Sequence, residues 1–315
     1  MAEDFKALLE KYDKVSILTH TTADADTLGT GLGIYAVLKR FGKQVEICNL
    51  DEKLPNHLDF LPHFAKIKNQ IDFDNSLIIT CDAGSLDILG FDLSLKKIVN
   101  IDHHKSNTDY GALNIVNITC ASASMIAYDL LKNDFEITKE SATCFYVALL
   151  TDTQNFITLN VNQHVFTVAS ELISFGVDLK MVNKNLTQRK SLSSFRVLSE
   201  TLDTLELSVD AQLASMMVTK ESFERTGADI RDLVGIIDQG MALATVKIAI
   251  LLIEFDDKIK VSLRSNGANV SDLAIHFGGG GHLMASGFSS RTTDLNKLLN
   301  EIKIEIQKRR LLNEL

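Results

Sequence analysis

The sequence predicts an α/β protein: a mainly parallel sheet with helices on both faces forms the N-terminal part, and a smaller α+β domain follows it. Two patterns predict this architecture. In the first half of the chain, short apolar runs rich in β-branched residues alternate with amphipathic stretches of helical period, as in consecutive βαβ units. In the second half, predicted strands follow one another directly, which favours antiparallel pairs.

The first half contains four predicted strands and four predicted helices. Each strand is a short apolar segment, and each helix has apolar residues at helical spacing. The strands are expected at 14–18, 45–50, 77–80 and 97–101, and the helices at 27–41, 120–133, 139–150 and 161–175.

The second half is predicted to start with a polar-faced connecting helix at 187–204, which separates an N-terminal domain at 1–186 from a C-terminal domain at 205–315. A chain of 315 residues is long enough for two domains, each with its own core. The remaining strands are expected at 205–209, 213–218, 243–255, 259–265 and 283–288, and the helices at 229–239, 270–277 and 294–312.

Composition excludes several classes of protein. Lys and Arg number 32 against 41 Asp and Glu, and the net charge of −9 argues against a general binder of long duplex DNA, which needs a basic face. A small pocket that holds a few phosphates remains compatible with this charge. The four cysteines are far apart and form no CxxC pair, which disfavours a zinc ribbon or a disulfide scaffold. With a charged N-terminal segment and no long apolar run, we expect a cytoplasmic protein that does not enter a membrane.

Ionisable residues follow the first predicted strand. His20, Asp24 and Asp26 lie in the segment HTTADADTLG, and the two carboxylates, two residues apart, can point the same way in an extended loop. Together they are suitable ligands for Mn²⁺ or a similar ion. The alternative is that Asp26 only caps the next helix and Asp24 only makes a turn.

Three further segments carry the same kind of residue. Asp82 follows an apolar strand directly, although Asp-Ala-Gly is also ordinary turn chemistry. Asp102, His103 and His104 follow the next strand, where two adjacent histidines favour metal ligation and phosphate contact over a solvated loop. Asp152 closes an apolar helix, a position where the helix dipole disfavours a carboxylate unless a cation lies nearby.

These segments are expected to meet, because ligands of open α/β sheets gather outside the carboxyl ends of the strands. The number and type of side chains suit two divalent ions that share one carboxylate and leave positions for water and substrate. The six candidate ligands are His20, Asp24, Asp26, Asp82, His103 and Asp152.

The C-terminal domain offers a candidate phosphate site. Arg264 and Ser265 end a predicted strand, and four consecutive glycines precede His282. Glycine backbone N–H groups can converge on an anion, and a guanidinium is a forked phosphate donor. The alternative is a flexible turn in which His282 merely starts a strand.

The motifs HTTADADTLG, TCDAGS, IDHHKS and TDT resemble, in order and character, the four motifs of the DHH phosphoesterase superfamily. The stretch SLRSN…FGGGGHLMASGF resembles the glycine-rich signature of the C-terminal DHH-associated domain, and the length is similar to that of the nanoRNase and pAp-phosphatase (NrnA-type) branch. The first motif departs from the common NPDGD-like form, and Gln154 stands where the fourth motif often has glycine. Both departures preserve the ligand types and affect the expected substrate preference more than metal binding.

The resemblance implies two lobes, a catalytic and a substrate-binding domain, with the active site in the cleft between them. It implies that Asp82 bridges two ions, that His104 faces the substrate phosphate as a catalytic residue and that Asp102 orients the histidine pair. One ion would also be bound by His20 and Asp24, and the other by Asp26, His103 and Asp152.

The resemblance further implies that a terminal phosphate is held in the C-terminal domain by Arg264, Gly280 and His282, beside Ser265 and Gly281.

The function implied is hydrolysis of short single-stranded RNA or DNA oligonucleotides and dinucleotides to mononucleotides, and of 3'-phosphoadenosine 5'-phosphate (pAp) to AMP. Two Mn²⁺ ions would activate a water, and Mg²⁺ or Co²⁺ would suit the same ligands. The alternative within this chemistry is a phosphodiesterase for linear or cyclic dinucleotides such as pApA and c-di-AMP in second-messenger turnover. A non-catalytic nucleotide-binding module and an inorganic pyrophosphatase are further alternatives. The oligomeric state stays open and is compatible with a homodimer.

Overall fold

The computed structural model describes residues 2–312, which form two compact units divided between Arg189 and Lys190. Within these residues, no helix combines the length and the hydropathy needed to cross a bilayer.

The first unit is built on a six-stranded sheet in which every neighbouring pair is parallel, with the order β3-β2-β1-β4-β5-β6. This confirms the predicted parallel sheet. Two strands were not expected from the sequence, because β3 has only two residues and β6 lacks a continuous apolar run. The strands are β1 (Lys14–Thr19), β2 (Gln44–Cys48), β3 (Ile67–Lys68), β4 (Leu77–Cys81), β5 (Ile98–Asp102) and β6 (Leu113–Val116).

Six α-helices pack into one apolar cluster on one face of this sheet. Helices were expected on both faces, but the opposite face is covered by a single-turn 3₁₀ helix, Asp87–Leu89, and the irregular chain around it. The first α-helix and the sixth were not expected from the sequence. The helices are α1 (Ala2–Glu10), α2 (Ala25–Arg40), α3 (Ala123–Leu131), α4 (Lys139–Asp152), α5 (Gln163–Ser174) and α6 (Leu179–Thr187).

The second unit contains a mixed six-stranded sheet of order β11-β12-β10-β9-β8-β7, in which β8 and β9 are parallel and the other pairs antiparallel. This confirms the smaller α+β part of the predicted fold. The continuous apolar run of β9 is explained by apolar clusters on both faces of the sheet. The strands are β7 (Glu206–Ser208), β8 (Leu213–Val218), β9 (Ile248–Glu254), β10 (Ile259–Ser265), β11 (Gly280–His282) and β12 (Ala285–Ser290).

The helices of the second unit lie on both faces of its sheet. The segment 187–204 is not one connecting helix, because residues 188–191 are not helical and the helix that follows buries Val197 in a core cluster of this unit. The helices are α7 (Leu192–Asp203), α8 (Lys220–Thr226), α9 (Ile236–Met241), α10 (Val270–His276) and α11 (Leu295–Lys308), and a 3₁₀ helix spans Ile230–Leu233.

Close packing of α2 against α4 supports the first unit. A β-carbon at Gly33 would lie 2.3 Å from Cε1 of the fully buried Phe145. Glycine at this position therefore lets the aromatic ring of α4 lie directly against the backbone of α2.

We expect Gly33→Ala to destabilise the protein by about 1–2 kcal/mol, because overpacking at a contact of 2.3 Å should cost about 2–3 kcal/mol and better helix propensity returns about 1 kcal/mol. The melting temperature should fall by about 2–8 °C. Adding Phe145→Leu should recover part of this loss, because leucine lacks the ring atoms that would clash. A double-mutant cycle that gives no coupling between the two positions would contradict this packing.

Candidate active site

Three neighbouring strands of the first sheet end in ionisable residues. His20 follows β1, Asp82 follows β4, and β5 ends at Asp102 with His103 after it. Because β1, β4 and β5 are adjacent and parallel, these strand ends lie at one edge of the sheet. Asp152, the last residue of α4, reaches the same place.

Asp82 lies at the centre of the cluster. Its side chain is 3 % exposed, and its backbone adopts a left-handed conformation (φ +57°), which is uncommon for a residue other than glycine. One carboxylate oxygen lies 3.6 Å from Nε2 of His20, and the other lies 3.3 Å from Nε2 of His103. Asp82 therefore stands between two imidazoles, in the place that a shared ligand would occupy.

The remaining predicted ligands surround these two histidines. Nε2 of His20 lies 3.9 Å from Oδ1 of Asp24, and Nε2 of His103 lies 3.8 Å from Oδ2 of Asp26 and 3.5 Å from Oδ2 of Asp152. The structure thus brings together all six side chains singled out in the sequence. Their ligand atoms fall into two compact groups, His20–Asp24–Asp82 and Asp26–His103–Asp152, and Asp82 with His103 and His104 forms a third.

Backbone carbonyl groups fix the orientation of both imidazoles. Nδ1 of His20 lies 2.9 Å from the carbonyl oxygen of Thr21, and Nδ1 of His103 lies 3.4 Å from that of Cys120. A carbonyl only accepts, so Nδ1 carries the proton in each contact and Nε2 faces the carboxylates. This is the usual arrangement of histidines that bind a metal through Nε2.

Asp26 is held by the N-terminus of another helix. Its carboxylate accepts hydrogen bonds from the backbone N–H groups of Ala123 (2.8 Å) and Ser124 (3.2 Å) in α3 and from the hydroxyl of Thr30 (3.1 Å). The residue that caps α2 is Asp24, whose Oδ1 accepts from the N–H groups of Asp26 and Thr27. The cap of α2 is therefore Asp24 rather than Asp26, and the capping carboxylate also lies 3.9 Å from Nε2 of His20.

Burial and the proximity of other charged groups shift the pKa values of the carboxylates in this cluster. Burial, followed by the charges of Asp82 and Asp152, raises the pKa of Asp26 well above its usual value. Burial raises the pKa of Asp152 to about 6, although His103 acts in the opposite direction. Burial would also raise the pKa of Asp82, but His103 and His20 outweigh it and lower that pKa to about 2.

The same contacts act on the histidines. Burial lowers the pKa of His20 and of His103, but the facing carboxylates, Asp82 first, raise these values to about 9 and about 10. In the absence of other cations, these two imidazolium groups and His104, whose Nδ1 lies 3.5 Å from Oδ1 of Asp82, are the positive charges that face four carboxylates. Additional positive charge would therefore stabilise this cluster of carboxylates.

The residues present fit a pair of divalent ions. Oδ1 of Asp82 is buried and receives no hydrogen bond from any residue between 2 and 312, although Nε2 of His103 lies 3.3 Å away. A buried carboxylate oxygen without a hydrogen-bond donor destabilises the folded protein unless a cation binds it. Carboxylate oxygens with imidazole Nε2 atoms form the donor set that divalent ions such as Mn²⁺ accept.

His104 and Asp102 form a second layer behind this cluster. Asp102 is fully buried, and its Oδ1 lies 2.7 Å from Nδ1 of His104, a contact that raises the pKa of the imidazole. The other oxygen of Asp102 accepts from the amide of Asn107, which also donates to Asn100 (2.7 Å). Asn100 and Asn107 were missed in the sequence, where they resemble ordinary strand and turn residues.

Arg264 lies near the end of β10 in the second unit, where it pairs with Ala285 of the antiparallel neighbour β12. Its guanidinium donates to the carbonyl of Leu263 (3.1 Å), and Nε lies 3.8 Å from Asp238. Ser265 is buried, and its hydroxyl donates to the carbonyl of Ala268, which closes a turn.

The glycine run is more ordered than the sequence suggested. Gly278 (φ +80°) ends α10, where its N–H donates to the carbonyl of Ile275. A β-carbon at Gly279 would lie 2.2 Å from the carbonyl oxygen of Gly287, and one at Gly281 (φ +138°) would lie 2.6 Å from Cα of Ser286. These three glycines therefore serve the fold.

Gly280 differs from its neighbours. It starts the edge strand β11, which ends at His282, and its φ is outside the left-handed region. A β-carbon there would meet no heavy atom of the described residues within 4 Å, apart from its chain neighbours. The fold therefore does not explain why this position lacks a side chain.

Each of the two units matches the model of a known protein family. Residues 14–149 match the DHH family N-terminal domain, and residues 213–308 match the DHHA1 domain. The chain belongs to the DHH family. This confirms the resemblance that the sequence motifs indicated, and DHH phosphoesterases are hydrolases that depend on metal.

Relatives in this family match nearly the whole chain. The bifunctional oligoribonuclease and PAP phosphatase NrnA of Thermus thermophilus is 29% identical over 91% of this chain and 87% of its own length. The protein of the same name from Bacillus subtilis is 25% identical over 90% of this chain and 91% of its own.

Two solved structures are similar. An exopolyphosphatase-related protein from Bacteroides fragilis is 26% identical, with a TM-score of 0.91 over 98% of this chain and 97% of the other. RecJ of Thermus thermophilus in complex with Mn²⁺ has a TM-score of 0.57 at 12% identity and covers 98% of this chain and 53% of that longer one, so this likeness concerns the fold alone.

We expect Asp152→Asn to stabilise the protein after its metal is removed with EDTA. The folded-state pKa of about 6 exceeds the ordinary 3.8, so the ionised carboxylate is destabilising above pH 6 and the penalty disappears as pH falls towards 4. His103 keeps Asp82 and Asp26 as partners in the variant. The gain at pH 7.5 should be about 1–2 kcal/mol, allowing for partial exposure of the carboxylate.

Thermal melting at pH 7.5 and pH 5.0 measures this effect. The advantage of Asp152→Asn should shrink at pH 5.0, and saturating Mn²⁺ should reverse the order, because the wild type gains more from ion binding. A variant that melts below the wild type at both pH values without metal would contradict the charge crowding.

Proposed function

We propose that this protein is a Mn²⁺-dependent phosphoesterase that hydrolyses short oligonucleotides to mononucleotides and pAp to AMP. The observation that carries the proposal is the buried Asp82, whose two carboxylate oxygens face Nε2 of His20 in one ligand group and Nε2 of His103 in the other. Such a shared carboxylate is typical of sites for two divalent ions. The names of the relatives, oligoribonuclease and PAP phosphatase, supply the substrate class.

Six side chains would hold the ions. His20 and Asp24 would bind one, Asp26, His103 and Asp152 the other, and Asp82 both. When bound, two divalent ions activate a water as nucleophile and neutralise charge on phosphoryl oxygens.

His104 would contact the substrate phosphate. Asp102 holds Nδ1 of this imidazole, so Nε2 is directed away from Asp102 and can donate to a phosphoryl oxygen. Asp102 acts through His104 and is therefore a positioning residue. The nearby thiol of Cys81 is a poor nucleophile, since burial raises its pKa well above the ordinary value.

Arg264, Gly280 and His282 would bind a terminal phosphate. Arg264 offers a forked donor, and the bare backbone of Gly280 can approach an anion where a side chain would intervene. Gly281 and Ser265 would support them, because their structural contacts hold the adjacent backbone. A single phosphate site suits short substrates, and the net charge of −9 disfavours long duplexes.

We also propose that the protein is cytoplasmic. The four cysteines, Cys48, Cys81, Cys120 and Cys144, are all free and buried, which is usual for proteins of a reducing compartment.

Hydrolysis of a defined substrate panel tests the function. We expect turnover of pAp, pApA and a five-nucleotide RNA that EDTA abolishes and Mn²⁺ restores. Asp82→Asn should lower it more than about 100-fold, beyond the loss typical of residues that only support ligands. Normal Mn²⁺-dependent turnover by Asp82→Asn would refute the proposal.

The same panel separates the alternatives. Preference for c-di-AMP or pApA over the longer RNA and pAp would favour a second-messenger phosphodiesterase. Hydrolysis of inorganic pyrophosphate alone would favour a pyrophosphatase, and binding of nucleotides without turnover would favour a non-catalytic module.

Gly280→Ala tests the phosphate site. The variant should melt close to the wild type, because the added methyl group meets no described atom of the protein. Its KM for pAp should rise at least about tenfold, as expected when one methyl group obstructs a site. Bis(4-nitrophenyl) phosphate, which has no terminal phosphate, should be hydrolysed at the wild-type rate.

Gly281→Ala is the matched control for this substitution. It should destabilise the protein, because φ is positive and Cα of Ser286 would lie 2.6 Å from the added atom. An unchanged KM for pAp in Gly280→Ala would remove Gly280 from the phosphate site.

A further inference from the structure

The loop between β1 and α2 carries two of the six proposed ligands, His20 and Asp24. It is exposed at Asp24, whose side chain is 60 % accessible, and Thr22 adopts a left-handed conformation (φ +58°). This conformation is unfavourable for a β-branched residue. The loop therefore needs contacts from elsewhere to hold its two ligands in place.

Two of these contacts fix the start of the loop. The buried amide of Asn49 donates to the carbonyl oxygen of His20 (2.8 Å) and to the hydroxyl of Thr19 (2.9 Å). The carbonyl oxygen of Ile88 accepts from both the N–H (2.8 Å) and the hydroxyl (2.9 Å) of Thr21.

Asp51 provides the third contact. Its Oδ1 accepts from the N–H of Thr22 and its Oδ2 from the N–H of Ala23, each at 2.8 Å. Consecutive N–H groups around a left-handed residue form a concavity that binds anions, and here the anion is a side chain. Oδ1 of Asn49 in turn accepts from the N–H of Asp51 (2.8 Å), which links two of the three contacts.

We propose that Asp51 is a positioning residue for the metal ligands His20 and Asp24, an inference that rests on the proposed function. Asp51 belongs to none of the ligand groups found within residues 2–312, and each of its carboxylate oxygens already accepts a backbone hydrogen bond. It therefore acts on the ion site through the loop.

The effect should be confined to one ion. Without the carboxylate of Asp51, the N–H groups of Thr22 and Ala23 lose their acceptor and Thr22 can leave its strained conformation. Asp26 is held separately, by N–H groups of α3 and by Thr30. Asp51→Ala should therefore weaken the site of His20 and Asp24 and spare the site of Asp26.

The test is a titration of full-length, EDTA-stripped protein with Mn²⁺ alone, followed by calorimetry and by Mn²⁺ paramagnetic resonance. The wild type should bind two ions. Asp51→Ala should bind one ion with unchanged affinity and the other about tenfold more weakly, the lower end of the loss seen when supporting residues are removed. Asp51→Asn, which retains one acceptor oxygen, should lie between them and remains informative if the alanine variant does not fold.

Asp92→Ala is the matched control, and it should bind both ions as the wild type does. The carboxylate of Asp92 likewise accepts hydrogen bonds from a loop N–H and a hydroxyl, both of Ser94. Asp92, however, lies before the amino end of β5, whereas the proposed ligands lie at the carboxyl ends of the strands.

Unchanged affinity for both ions in Asp51→Ala and Asp51→Asn would overturn the inference, and so would equal weakening at both sites, which indicates a general structural role. In these cases the proposed function would survive, because the wild type would still bind two ions. A wild type that binds no Mn²⁺ would overturn both.

Discussion

Crowded carboxylates at the edge of a buried parallel sheet are the constraint on which the rest of the first unit depends. Asp24, Asp26, Asp82 and Asp152 lie within contact distance of two imidazoles, and Asp26 and Asp82 are almost completely buried. Carboxylates so close together repel one another strongly where water cannot screen them. Burial first, and this repulsion after it, raise the pKa of Asp26 and of Asp152, and divalent ions would offset the negative charge.

The fold holds these groups by backbone contacts from several elements. The N-terminus of α3 binds Asp26, the first turn of α2 is capped by Asp24, and a left-handed turn after β4 places Asp82. Backbone strain of this kind persists only where the surroundings enforce it. Gly33 packs against Phe145 between α2 and α4, the two helices that carry Asp26 and Asp152.

Much of this could be predicted because the signals are local. An apolar run that ends in Asp82, or in Asp102 and His103, indicates a buried strand with polar groups at its carboxyl end. The two-residue strand β3 could not be predicted, since pairing with β2 rather than its own sequence makes it a strand. The order within the glycine run was also missed, because the close contacts of Gly279 and Gly281 come from Gly287 and Ser286 and arise only when β11 pairs with β12.

The sequence by itself determined the parallel sheet, the candidate ligands and the family, because residue periodicity and motif order are local properties of the chain. Only the tertiary structure decided which residues support the site. Asn49, Asp51 and Asn107 are ordinary turn residues in the sequence, and their roles come from hydrogen bonds to a loop or side chain that folding brings to them. Likewise, only the packing around each glycine separates Gly280 from the neighbours that the fold requires, since that difference lies in the space around the residue rather than in its type.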